Sequence, residues 1–266
     1  MFAGLFLGAE AASAQVLGTS ARQLPAGSLK LLGYYQGIQD QSLNFSLQGA
    51  GACTAQSPTN VGFACSQAGE VEVEGSGGSG VVKLVYQPWD GLQYYASLGV
   101  GDYSLSVPST TITNKLTGDN PGLALTVGAR AVIYPDTIVT PAVALDASVT
   151  KSRYSYNRRF PGGAPGLDNR INQRLDFWQY QFAVESSHLF TFEERYKVEP
   201  YGGVKWVRTQ TDLHDLQDGS HAGGQKDTVT PFLGVRVPVF EHEGLFAEAS
   251  FIGGYQYAAG MEIRFK

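Results

Sequence analysis

The sequence predicts an all-β protein, a transmembrane antiparallel up-and-down β-barrel of about ten strands. Three observations carry this. Segments in which apolar and polar residues alternate fill almost the whole chain, and Gly122–Tyr134 keeps the alternation for 13 residues. That exceeds the roughly 5–6 residues usual for a soluble strand and matches the roughly 9–11 that a tilted strand needs to cross a bilayer. The connections alternate between tight and long. The faces opposite the apolar ones are small and sparsely charged, unlike solvated sheet surfaces.

Ten segments follow in order: about 28–36, 80–88, 92–104, 122–134, 138–152, 175–190, 196–210, 227–239, 244–252 and 255–265. In 122–134, Leu123, Leu125, Val127, Ala129, Ala131 and Ile133 fall on one face, and Thr126, Gly128 and Arg130 on the other. In 227–239, Val229, Leu233, Val235 and Val237 oppose Thr230, Phe232, Gly234 and Arg236. Tight turns follow strands two, four, six and eight, at Pro88–Gly91, Pro135–Thr137, around Phe192 and at Glu241–Gly244. Long loops follow strands one, three, five and seven, at about 37–79, 105–121, 153–174 and 211–226, while Gly253-Gly254 makes a short last connection. Residues 28–266 thus form a single barrel domain.

The polar faces carry Lys30, Lys83, Arg130, Lys205, Arg236 and Arg264 against Asp146, Glu185, Glu199, Glu248 and Glu262. A sparse, nearly balanced set suits a confined lumen, where buried charges need partners. Tyr35, Tyr86, Trp178, Tyr180, Trp206 and Tyr255 lie near strand ends on the apolar face, as interfacial aromatic girdles do. A soluble β-sandwich would instead show densely charged outer faces. The charge is −5 over 266 residues, with no basic run, which argues against nucleic acid as a partner.

The ends of the chain and its cysteines speak of export. Residues 1–14 read as a signal-peptide remnant, with an apolar Phe2–Leu7 and an Ala12-Ser13-Ala14 cleavage pattern, although no basic residue precedes Phe2. Residues 15–27 are then an N-terminal periplasmic segment. Cys53 and Cys65 lie close together in a Gly/Ser/Asn-rich stretch, which suits one local disulfide or two free thiols. On either side, QSLNFSLQ and EVEVEG alternate and are able to extend the barrel as a hairpin beyond the membrane.

The even strand count and the short–long alternation resemble bacterial outer-membrane β-barrels, with periplasmic termini. The last strand strengthens the likeness. Proteins of that class tend to end with a glycine, two residues, a hydrophobic residue, any residue and an aromatic one. Gly260, Ile263 and Phe265 fall in that order, while Ala258 replaces a usual polar residue and Lys266 trails the aromatic. The resemblance implies an assembly signal read by the barrel-assembly machinery, and outer-membrane lipid and lipopolysaccharide as surroundings. It extends to small barrels such as the omptins and the Opc adhesin, but to no single protein.

Ten strands lie near the size at which side chains close the interior, and Tyr34, Tyr95, Tyr201 and Phe232 point the same way. The expected function is a filled barrel acting as a structural, adhesive or partner-binding surface protein through its outer loops. A narrow or gated channel is one alternative. An omptin-like protease is another: the resemblance implies an Asp-x-His pair, which Asp212 and His214 supply, facing two acidic residues, for which only Asp119 and Asp102 stand near. Ordinary solvated loop residues account for the pair equally well. Asp212, His214, Asp215, Asp218 and His221 are metal-capable, but nothing fixes their geometry, so no metal and no cofactor is expected. The third loop places Lys151, Arg153, Arg158, Arg159, Arg170 and Arg174 among Tyr154, Tyr156 and Phe160, a set suited to lipid phosphates or to another anionic partner. No phosphate-binding loop, C-x-x-C or G-x-S-x-G is found.

Overall fold

The computed structural model describes residues 16–18, 21, 23–47, 59–60, 63–64, 69–108, 113–162, 169–192, 196–217, 219, 221–251 and 253–265. Its strands are β1 (Leu29–Leu47), β2 (Thr59–Asn60), β3 (Phe63–Ala64), β4 (Gly69–Trp89), β5 (Leu92–Pro108), β6 (Thr113–Thr117), β7 (Gly122–Tyr134), β8 (Ala142–Pro161), β9 (Asn169–Ser187), β10 (Phe190–Phe192), β11 (Tyr196–Asp215), β12 (His221–Pro238), β13 (Glu243–Ser250) and β14 (Tyr255–Phe265). All pairings are antiparallel. Ten strands close a ring in the order β1, β4, β5, β7, β8, β9, β11, β12, β13, β14 and back to β1. Closure removes every sheet edge from the lipid, where an unpaired backbone group finds no water. With the short β6 and β10 the sheet has twelve strands, and β2–β3 form a separate small hairpin.

The ends of the barrel differ. The near end carries the start of β1 and the end of β14, paired Leu29↔Phe265. The strands run much further toward the far end than the alternation within 28–36 and 80–88 implies. Residues read from sequence as the loops 37–79, 105–121, 153–174 and 211–226 are largely strand, and QSLNFSLQ does pair with EVEVEG, from Gln41↔Gly75 to Leu47↔Gly69. Along β1 the alternation is broken at a bulge between Ile38 and Gln41, where Asp40 takes φ 54°. A bulge adds one residue and so reverses which side each later residue faces.

Polarity reverses along the barrel as well. On β5, Tyr94, Ala96, Leu98 and Val100 face out near the membrane and Gln93, Tyr95 and Ser97 face in. Further along, Asp102, Ser104 and Ser106 face out and Tyr103, Leu105 and Val107 face in. On β4, outward Val82, Leu84 and Tyr86 give way to Glu70, Glu72 and Glu74. The near part is therefore a barrel for lipid, and the far part is an ordinary barrel for water. The aromatic residues Tyr35, Tyr86, Trp178, Tyr180, Trp206 and Tyr255 are all exposed on the outer face.

The strand number changes with the solvent. β13 and β14 end at Ser250 and Tyr255, and beyond them β12 pairs directly with β1 at Ser46↔Gly223. A Cβ at Gly224 would stand 1.7 Å from the Asn44 carbonyl oxygen, so this approach requires glycine. β6 takes the place of β7 between β5 and β8. The far ring thus has eight strands, a number whose interior side chains just fill. They do: Leu43, Phe45, Val73, Leu105, Val107, Leu116, Tyr156, Leu175, Phe177 and Leu213 form one buried cluster.

Candidate functional site

The near half of the lumen is built from the charges that alternate along the strands. Ten of the eleven, all but the half-buried Arg264, are buried. Arg130 lies between Asp146 (3.3 Å) and Glu185 (2.9 Å). Arg236 bridges Glu199 (2.7 Å) and Glu262, and Lys30 also reaches Glu262 (3.1 Å). Lys205 pairs with Glu248 at 2.5 Å. Isolated buried charges would cost several kcal/mol each, and mutual pairing offsets that cost. Tyr34, Tyr95, Tyr201 and Phe232 are buried among them, with the Tyr95 hydroxyl donating to Asp146 at 2.7 Å.

The chain before β1 enters this network, whereas the sequence gives 15–27 no place in the interior. Leu24 N donates to Gln87 Oε1 near the rim (2.9 Å), and Ala21 packs against Ala142 and Ala144. Deeper in, Leu17 N (3.2 Å) and Gly18 N (2.9 Å) donate to the Glu248 carboxylate, and Lys83 Nζ donates to the Leu17 carbonyl (2.7 Å). Val16 packs with Leu32, Tyr34 and Phe246, and Leu17 with Tyr201 and Phe232. Gly18 takes φ +61° and sits 3.2 Å, by its Cβ direction, from the Phe246 ring. Nothing in the sequence signals this contact, since Val16-Leu17 has no period and Glu248 lies 231 residues beyond Leu17.

The six basic residues of the third loop do not form one cluster. Lys151, Arg153 and Arg174 lie on the outer face at the edge of the lipid band beside Trp178, with Lys151 Nζ 4.8 Å from the Trp178 ring. Arg153 and Arg174 both bind Asp176, at 2.7 and 2.9 Å. Arg158, Arg159 and Arg170 lie further along; Arg158 and Arg170 face each other across the strands, and Arg158 binds Asp119 (3.3 Å). Arg208, which the loop-by-loop reading missed, belongs to the first group. It stacks on Trp206 at 5.4 Å and binds Asp227 at 2.7 Å. Its signal was present: two residues after an outward Trp, the same face is outward.

Asp212 and His214 do meet, at 3.0 Å, yet both face outward, because Leu213 between them is buried in the far core. Asp212 stands opposite Asp176, whose carboxylate is held by two arginines. Asp102 faces outward four strands away from Asp212 along the ring, and Asp119 is taken by Asn157 (2.7 Å) and Arg158. The His221 ring is 6.0 Å from that of His214, Asp215 accepts from Gln173 (3.0 Å), and Asp218 lies outside the described residues. Among the described residues no three His, Cys, Asp or Glu side chains converge as a metal site. Cys53 and Cys65 also lie outside the described residues.

The last strand closes the ring. β14 pairs with β1 from Leu29↔Phe265 to Gln39↔Tyr255, and with β13 on its other edge. Ile263 and Phe265 sit on the outer face, and a Cβ at Gly260 would stand 2.3 Å from the Gly33 carbonyl oxygen.

The family model described as the autotransporter β-domain matches residues 96–239, more than half of the 266. No curated protein sequence matches the chain. Similar solved structures include the translocator domain of autotransporter NalP from Neisseria meningitidis (12% identity, 91% of this chain and 89% of that one, TM-score 0.49). The β domain of the Bordetella autotransporter BrkA is another (14%, 90% and 100%, 0.48), as is the outer membrane protease OmpT from Escherichia coli (8%, 90% and 97%, 0.47). The chain is an outer-membrane β-barrel, and it belongs to the autotransporter β-domain family.

Proposed function

We propose that this barrel is a sealed, non-enzymatic anchor of the outer membrane that acts as a structural, adhesive or partner-binding surface through its far end. In this reading the far end faces the exterior and the near end the periplasm. The observation that supports it is the double closure: an apolar core fills the far ring, and paired charges with the N-terminal segment fill the near lumen. Lys151, Arg174 and Arg208, beside interfacial tryptophans, engage lipopolysaccharide phosphates at the edge of the lipid band. The outward, arginine-flanked setting of Asp212 and His214 favours a surface role for them over water activation. Planar-bilayer recording of the purified barrel tests the proposal: the expected trace is flat, and steady open steps would overturn it in favour of a narrow channel.

The luminal position of Val16–Gly18 favours a second reading, in which the barrel carries its own N-terminal chain across the membrane. The two readings part on an epitope fused before Val16. A sealed anchor keeps it inaccessible to antibody on intact cells, and a carrier displays it.

A further inference from the structure

The barrel wall is interrupted where β6 takes over from β7 between β5 and β8. β5 pairs with β7 as far as Gly101↔Gly122 and with β6 only from Leu105↔Leu116, so Asp102, Tyr103 and Ser104 have no partner on that edge among the described pairings. On the facing side, β8 pairs with β7 as far as Leu123↔Arg153 and with β6 from Thr117↔Arg158, leaving 154–157 unpaired in the same way. Among the described residues the bend at 118–121 spans the slot. It leans on β8: a Cβ at Gly118 would stand 2.0 Å from the Ser155 carbonyl oxygen, and Asp119 accepts from Asn157 (2.7 Å) and Arg158 (3.3 Å).

On the β5 side this leaves an outer cleft of about 250 Å³, bordered by Ser76, Asp102, Ser104 and Asn120, with Tyr103 and Tyr154 at its floor. The same two tyrosines line a chamber inside the barrel, between the apolar far core and the charged near network. Their ring centroids lie 5.1 Å apart with the planes tilted by 33°, and the pair stands between cleft and chamber. Tyr103 is fixed by its hydroxyl, which donates to Gln41 Oε1 (2.6 Å), whereas Tyr154 is only partly buried.

The chamber is lined by hydroxyl and amide side chains such as Ser97, Thr126, Ser152 and Gln36, by aromatic rings and by aliphatic Val81 and Ile38, and among the described residues by no Asp, Glu, Lys or Arg. Gln36 Oε1 and the buried Gln41 Nε2 have no hydrogen-bond partner among the described residues. Its free space of about 40 Å³ holds about three waters at ~10–15 Å³ each. An ion entering it would lose hydration without meeting a counter-charge in the lining, and the charges beneath are held in ion pairs or, for Lys83, by the Leu17 carbonyl and the Tyr95 ring. A hydroxylated or amide-bearing neutral molecule would meet matching donors and acceptors.

We propose that the slot between β5 and β8 is a side entrance to this chamber, closed by the Tyr103–Tyr154 pair, which admits small uncharged polar molecules. The entrance lies where the outer surface turns from Leu98 and Val100 to Asp102 and Ser104, at the edge of the lipid band. It is compatible with closure along the axis and does not depend on it.

Thiol labelling of the purified, folded full chain tests this. Ser152→Cys, made with Cys53→Ser and Cys65→Ser, places a reporter in the chamber, with folding checked by heat-modifiable gel mobility and Thr126→Cys as a second reporter position. A closed partition opens in a minor state of about 0.1–10%, so Tyr154→Ala should speed modification by neutral methyl methanethiosulfonate about tenfold or more. The anionic sulfonatoethyl reagent should lag well behind it. Lys205→Met with Glu248→Leu, which releases Leu17 and Gly18 at the near end without leaving an unpaired charge, should leave the neutral rate unchanged. A rate indifferent to Tyr154→Ala, or raised as much by Lys205→Met with Glu248→Leu, would overturn the proposal.

Discussion

Before Asp40 the even-numbered residues of β1, such as Lys30, Leu32 and Tyr34, face the interior; after it the odd-numbered Gln41, Leu43 and Phe45 do. The single extra residue allows one strand to serve two solvents. Asp is among the few non-glycine residues that adopt φ 54° readily, whereas a β-branched residue there is strained by about 1–3 kcal/mol. Asp40→Val should therefore lower the urea midpoint of the lipid-reconstituted barrel, and Asp40→Gly should not. Glu248 supports more: it pairs Lys205 and accepts from Leu17 and Gly18. Breaking a buried pair on one side costs about 3–5 kcal/mol, so Glu248→Gln should destabilise strongly, while Lys205→Met with Glu248→Leu should recover much of the loss. Equal midpoints for Glu248→Gln and the parent would contradict the luminal network. These luminal charges were legible from strict alternation alone. The partner of Glu248 was not, because no local pattern links residues so distant.

At the scale of elements, β12 and β1 meet only because Gly224 has no side chain. Gly224→Val should part the far seam without dissolving the near ring. Limited proteolysis should then cut near 44–46 and 222–226 while the lipid-embedded fragment persists; an uncut far end would refute the role given to Gly224. Truncation before Gly260 removes the end of β14 that pairs with Leu29–Tyr34 and should abolish membrane assembly, read as loss of the heat-modifiable band. The ten ring strands and β14 as the seam could be read from alternation and turn spacing. The far extensions were harder. Gln41–Leu47 and Gly69–Glu74 do alternate, but Leu43, Phe45 and Val73 face in rather than out, so the lipid-facing template that defines the other strands ends short of them.

The molecule as a whole is a ten-stranded ring around paired charges that narrows to an eight-stranded ring around an apolar core. Each end inverts the polarity of the other because each faces a different solvent, and the interior is the complement of what lies outside. Composition conveys this only as an average: 43% hydrophobic and 16% charged residues describe neither half. The inversion is the central claim, and nitroxide accessibility along the outer face of β4 tests it most directly. Labels at positions 82, 84 and 86 should be relaxed by lipid-soluble oxygen, and labels at 70, 72 and 74 by a water-soluble nickel complex, with the crossover between Glu74 and Val82. Oxygen-dominated relaxation at all six positions, or nickel-dominated relaxation at all six, would contradict it.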